Sequence, residues 1–370
     1  MNKRLKLILK NPGFQSFLAS LVCIVLGLLI GYIVLLFINA EGATQAILMI
    51  IKNFFKYPSA GAAMKYFGST LVKAAPLLMC SLSVLFAYKT GLFNIGAAGQ
   101  YALGAGICLY CALALRLPWF VCIVFAMCGG AFLGVISGIL KSLCNVNEVI
   151  SGIMLNWISL YTVNTMLAGV KEETSHYTMN ISNVNTDALL PKLGLDKLFT
   201  NNQYVTLALP LSVIVAIIIN IILDKTKLGF ELKATGLNKF AAKYSGMAEK
   251  KNTILTLAIS GALAAMGASL FYLTGYEQWS VTSSSVPAMG FNGIAAAFLG
   301  GLSPIGAIFS SFFIQHITEG GAYVDKTKYC SQISDLISSI IIYLCGFVLF
   351  MKQFMNNMIR RSELKKGGKG

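Results

Sequence analysis

The chain has 370 residues, of which 56% are hydrophobic and 12% charged, with a mean hydropathy of +0.72 and a net charge of +15. A soluble domain carries about 25% charged residues, so there is too little polar surface here to face water, and the apolar excess belongs in lipid. The basic excess does not point to nucleic acid, because 17 of the 29 Lys and Arg fall in residues 1–13, 224–252 and 352–370, beside or between apolar runs. That is the pattern of cytoplasmic loops in a membrane protein.

In chain order, a basic start with Lys3, Arg4, Lys6 and Lys10 leads into an apolar run too long for a signal peptide. Apolar segments then predict spans over 16–38, 67–88, 93–115, 117–140, 148–169, 204–223, 253–274 and 332–351. Each is near the roughly 20 residues a crossing helix needs. The stretch 288–317 carries Gly290, Gly293, Gly300, Gly301, Pro304 and Gly306, and reads as one broken span or two short ones. Backbone groups freed by such residues are tolerated in a membrane only where protein or a water-filled cavity supplies partners, and broken helices often mark a substrate site. With both basic ends cytoplasmic, an even number of crossings is expected, and two short helices give ten. The fold class is therefore all-α and polytopic, with a cytoplasmic segment 1–15, a transmembrane domain 16–351 and a basic cytoplasmic tail 352–370.

Residues 39–66 and 170–203 are expected as external loops, and 224–252 as a cytoplasmic one with seven Lys against three acids. In the last, Leu237, Phe240, Ala241, Tyr244 and Met247 recur at helical spacing. The pattern is a short amphipathic helix that either lies on the membrane surface or docks a cytoplasmic partner.

Chemistry-bearing patterns are few. Cys108 and Cys111 form a C-x-x-C inside an apolar run, without a second Cys pair or a nearby His, and read as helix packing. The two histidines, His176 and His316, sit in a polar loop and at a span end, and Ser283–Ser285 has no nearby base. No P-loop pattern occurs, so ATP would have to be hydrolysed by another subunit. No metal and no cofactor are expected in this chain.

Polar residues inside apolar runs are more informative. Asn94 and Gln100 sit in GLFNIGAAGQ (91–100), and Asn156 and Trp157 in NEVISGIMLNW (147–157). Phe291 and Asn292 again combine Phe-Asn with glycines. Amides in lipid need partners, and glycines permit close approach. These residues either pack helices together or line a pathway, with Phe93, Trp157 and Phe291 offering stacking faces.

These runs, with ATGLNKFAAKYSGM (234–247) and FLGGLSPIG (298–306), resemble the permeases of sugar- and nucleoside-type ABC importers, relatives of the ribose and branched-chain amino-acid permeases. Within that family the chain is similar to nucleoside permeases that work with basic-membrane-protein-type lipoproteins. The resemblance implies about ten helices with both ends cytoplasmic. It implies that 224–252 is the segment that couples to the ATPase, with Gly236, Ala241, Ala242, Tyr244 and Gly246 on its recurrent positions and Leu237 beside them. It also implies a cytoplasmic ATPase partner, a second related permease in a heterodimer, an external substrate-binding lipoprotein and a plasma-membrane location. The family often has Glu where Ala98 stands, and 1–66 matches only as a generic span and loop. A permease for a simple sugar or another small polar solute is the alternative within transport. A self-sufficient secondary transporter would show intramembrane acids as ion sites, which are scarce here, and a membrane enzyme has no catalytic set.

Overall fold

The computed structural model describes residues 12–357 apart from 326, 331, 348, 349, 352 and 355. Lys3, Arg4, Lys6 and Lys10, and the basic residues of the 352–370 tail, lie outside the described residues. In chain order the main helices are α1 (Pro12–Ile38), α2 (Ala40–Lys52), α3 (Ala60–Lys89), α4 (Ala97–Leu113), α5 (Trp119–Cys144), α6 (Glu148–Leu167) and α7 (Ala208–Lys225). They continue with α8 (Lys227–Leu237), α9 (Lys239–Tyr244), α10 (Glu249–Tyr272), α11 (Ala288–Leu299), α12 (Pro304–Gly321) and α13 (Ile333–Cys345). Among the described residues six helices are long and apolar enough to cross a bilayer, and Ala97–Leu113 and Ala288–Leu299 are shorter apolar helices.

Several boundaries differ from the sequence expectation. Residues 39–66 are largely helical rather than a loop. Asn39 caps α2 by accepting from the Gly42 N–H at 3.2 Å, and Gly42, Ala43, Ala46 and Ile50 form its buried face. α3 begins at Ala60, where Ser59 accepts from the Ala62 N–H at 3.4 Å. The 93–115 span starts only at Ala97, because 90–96 is a turn. The 170–203 segment holds short helices and pairs locally with the chain after α10, through a Tyr177–Ser280 bridge and the Thr178 N–H to Trp279 carbonyl bond at 2.9 Å. The 288–317 stretch divides into α11 and α12. Gly301 (φ 65°) and Leu302 (φ 56°) turn the chain left-handed, and Ser303 and Pro304 start the next helix.

The chain forms two compact units, residues 57–294 and a second made of 1–56 with 295–370. In the first, α10 packs against α5, α3 and α4. Gly130, Gly134 and Gly138 of α5 repeat every four residues along that seam, and a Cβ on each would strike Gly261, Leu257 or Ile254 of α10. Without a hydrophobic drive between helices in lipid, such small residues gain association through backbone-close packing. In the second unit, Gly27 and Gly31 of α1 receive Ile341 and Ile337 of α13. Ser20 donates to the Leu299 carbonyl at 2.6 Å, and Asn53 Nδ2 to the His316 carbonyl at 2.8 Å.

Candidate functional site

The site in residues 57–294 is built around the turn that joins α3 to α4. Thr90 closes α3 by donating its hydroxyl to the Phe86 and Ala87 carbonyls at 3.1 and 2.9 Å. Four residues on, Asn94 is buried, and its Nδ2 lies 2.7 Å from Gln100 Oε1, 3.2 Å from Ser83 Oγ and 2.6 Å from Ser260 Oγ. Two amide hydrogens are shared among three acceptors. Ser260 gives its own hydrogen to the Ser83 carbonyl at 2.7 Å, which leaves Ser83 as donor in the 3.0 Å hydroxyl pair. The network therefore ties α3, the turn, α4 and α10 together.

Asn156 holds the same region from α6. Its Oδ1 accepts from the Gly99 N–H at 2.7 Å, and its Nδ2 donates to the Ile95 carbonyl at 3.1 Å. The first satisfies one of the N–H groups that a helix start leaves unpaired. From α11, Gly290 lies against Ala98, where a Cβ on the glycine would come within 2.5 Å of the Ala98 nitrogen. Ala98 is itself fully buried.

The seven residues read from the sequence as pathway candidates thus fall into two groups. Asn94, Gln100 and Asn156 come together inside this unit, with exposures of 3%, 1% and 2%. Trp157 and Phe291 are 43% and 40% exposed, while Phe93 and Asn292 are half-buried. Trp157 is followed one turn later by Tyr161, 58% exposed, with ring centroids 6.2 Å apart. Ser83 and Ser260 escaped the sequence reading. Their one signal was a hydroxyl inside an otherwise apolar helix.

The 224–252 segment is two helices rather than one. Asn238 is extended (φ −155°), ends α8, and caps α9 by accepting from the Phe240 and Ala241 N–H groups at 3.0 and 3.1 Å. Gly246 (φ 80°) takes the left-handed position after α9. Leu237, Phe240 and Tyr244 are 88%, 66% and 96% exposed, whereas Ala242 is buried and Ala241 is exposed. Gly236 has a different setting from its neighbours: a Cβ there would land on the Thr90 carbonyl. Beside it is a cavity of about 420 Å³, lined by Thr90, Gly91, Gly236, Lys239, Phe240 and Asn252 among others. Asn252 donates to Thr235 Oγ1 at 2.9 Å, and Lys141 pairs with Glu148 at 2.7 Å.

Cys108 and Cys111 are free and buried, and no group of three metal-binding side chains occurs among the described residues.

Six lipid-length apolar helices and two shorter ones among the described residues, with a buried polar node, define a multi-pass membrane protein. The family model for the branched-chain amino acid transport system / permease component matches residues 66–346, so the chain belongs to that permease family. A nucleoside ABC transporter permease protein, NupB, of Lactococcus lactis subsp. cremoris is 32% identical over 97% of this chain and 100% of the relative. The guanosine ABC transporter permease protein NupP of Bacillus subtilis is 28% identical over 88% of this chain and 91% of its own. A glucose ABC transporter permease protein, TsgB13, of Haloferax volcanii is 26% identical over 93% and 90%. No solved structure matches the chain.

Proposed function

We propose that this chain is the permease subunit of an ATP-driven nucleoside importer in the plasma membrane, and that it forms the translocation pathway and holds no cofactor itself. The observation that carries the nucleoside assignment is the end-to-end similarity to a nucleoside permease, with no part of that relative left unmatched. The exposed Leu237, Phe240 and Tyr244 support the ATP-driven part. Large apolar side chains left exposed on a basic segment between spans suit a surface that a soluble partner covers. That partner is a separate cytoplasmic ATPase, docked on α8 and α9 through Leu237, Phe240, Ala241 and Tyr244, with Ala242 and Gly246 setting their shape. The chain crosses the membrane ten times with both ends in the cytoplasm. It pairs with a second related permease, and a lipoprotein delivers the nucleoside from outside. Trp157, Phe291, Phe93 and Asn292 contact the passing nucleoside, base stacking on aromatic faces being tolerant of base identity. Asn94, Gln100 and Asn156 hold those faces in place.

The test is co-purification from detergent of the tagged full chain, followed by uptake of radiolabelled guanosine and of glucose into proteoliposomes. The expected result is an ATPase bound to the wild type, lost from Phe240→Asp and Tyr244→Asp, and ATP-dependent guanosine uptake. A wild-type chain that carries no ATPase and transports with an ion gradient would make this a secondary transporter. ATP-dependent uptake of glucose alone would move the substrate to the sugars.

A further inference from the structure

We infer that Gly91 and Gly236 are the positioning pair through which the α8–α9 segment moves the turn that carries Asn94. The inference rests on the proposed ATP-driven reading and adds to it the point of contact. Two backbones touch there with no side chain between them. A Cβ on Gly91 would lie 2.5 Å from the Gly236 Cα, and one on Gly236 would strike the Thr90 carbonyl. Gly91 is also left-handed (φ 79°), a conformation that costs any other residue strain. A backbone-to-backbone contact has no rotamer to absorb a push, so a displacement of the end of α8 is handed directly to the turn.

What the turn carries makes the contact consequential. Within the next ten residues, Asn94 reaches Ser83 of α3, Gln100 of α4 and Ser260 of α10, and the Ile95 carbonyl is held by Asn156 of α6. Asn156 is followed by Trp157, and Gly290 on Ala98 is followed by Phe291, so the two exposed rings hang from elements fastened to this turn and to the start of α4. The segment also has space to move. The cavity of about 420 Å³ adjoins the contact and is lined by both glycines, while Asn252 bonded to Thr235 tethers α8 to α10. The Gly91–Gly236 contact is thus a stiff point beside an open space.

The test is made on the complex purified with its ATPase and reconstituted in proteoliposomes, reading radiolabelled guanosine taken up per ATP hydrolysed. Gly91→Ala and Gly236→Ala are each expected to keep the ATPase bound and to lower that ratio about tenfold. The Ser83→Ala/Ser260→Ala double variant cuts the network without crowding the contact, and is expected to lower the ratio about fivefold. A wild-type ratio in either glycine variant overturns the inference. So does loss of the ATPase from a glycine variant that unfolds at the wild-type temperature, because Gly236 then serves docking. Should the glycine variants fail to fold, the serine pair decides, and a wild-type ratio there overturns it. Absence of ATPase from the wild-type complex is a separate result that removes the functional reading itself.

Discussion

The Asn94 node and the α8–α9 segment are both polar interruptions in an apolar chain, and the structure treats them in opposite ways. At the node, polar side chains are drawn inside and satisfied by one another, so that amides that could serve a solute are occupied with holding four elements together. On α8 and α9 the backbone is satisfied by caps, and large apolar side chains are left outside. In this chain, then, the buried amides serve assembly, and the exposed aromatics of the basic loop are free for the proposed ATPase to cover.

Substitutions separate the two regions. The largest effect on stability is expected from Asn156→Ala, which strips the Gly99 N–H and the Ile95 carbonyl of their partners. At about 1–3 kcal/mol for each buried group left unpaired, the cost is roughly 2–6 kcal/mol, measured as earlier unfolding of the detergent-solubilised chain. Ser260→Ala removes one hydroxyl and leaves Asn94 two acceptors, so the loss is smaller, about 1 kcal/mol on the same scale. Phe240→Asp and Tyr244→Asp are expected to leave unfolding within about 0.5 kcal/mol of wild type, as exposed positions do. In the same variants ATPase affinity falls at least tenfold, about 1.4 kcal/mol. A Phe240→Asp chain that unfolded early would sink the distinction, because the ring would then be part of the fold. The smallest effect is expected from Trp157→Ala. Its ring is exposed and unfolding is unchanged, but the guanosine concentration for half-maximal uptake rises severalfold as a stacking face is lost.

Much of this architecture is readable from the residues. Apolar length marks the long helices, and Gly300, Gly301 and Pro304 mark the break between α11 and α12 because each defeats helical continuation for a known reason. α2 was hidden because its buried face is made of Gly42, Ala43, Ala46 and Ile50, three of them too small to register as an apolar stripe. The amides of GLFNIGAAGQ and Asn156 announce themselves, yet their direction is not encoded locally. In lipid both faces of a helix are apolar, so periodicity does not say which one is inside. The partners Ser83 and Ser260 are 177 residues apart in the chain, and only the fold brings them together. The division of 224–252 into two helices turns on Asn238, a residue type that favours caps, and the regular spacing of Leu237, Phe240 and Tyr244 masks that break.

The unit made of 1–56 with 295–370 is assembled from the two ends of the chain. Its first helix leaves the ribosome long before the residues that fill its Gly27–Gly31 groove, Ile337 and Ile341, have been made. At about 5–20 residues per second of synthesis, the roughly 300 residues between them take on the order of 15–60 s. For that interval α1 has α2 beside it but not α13, whose Ile337 and Ile341 fill its Gly27–Gly31 groove. Completion of this unit therefore waits on synthesis of the last part of the chain.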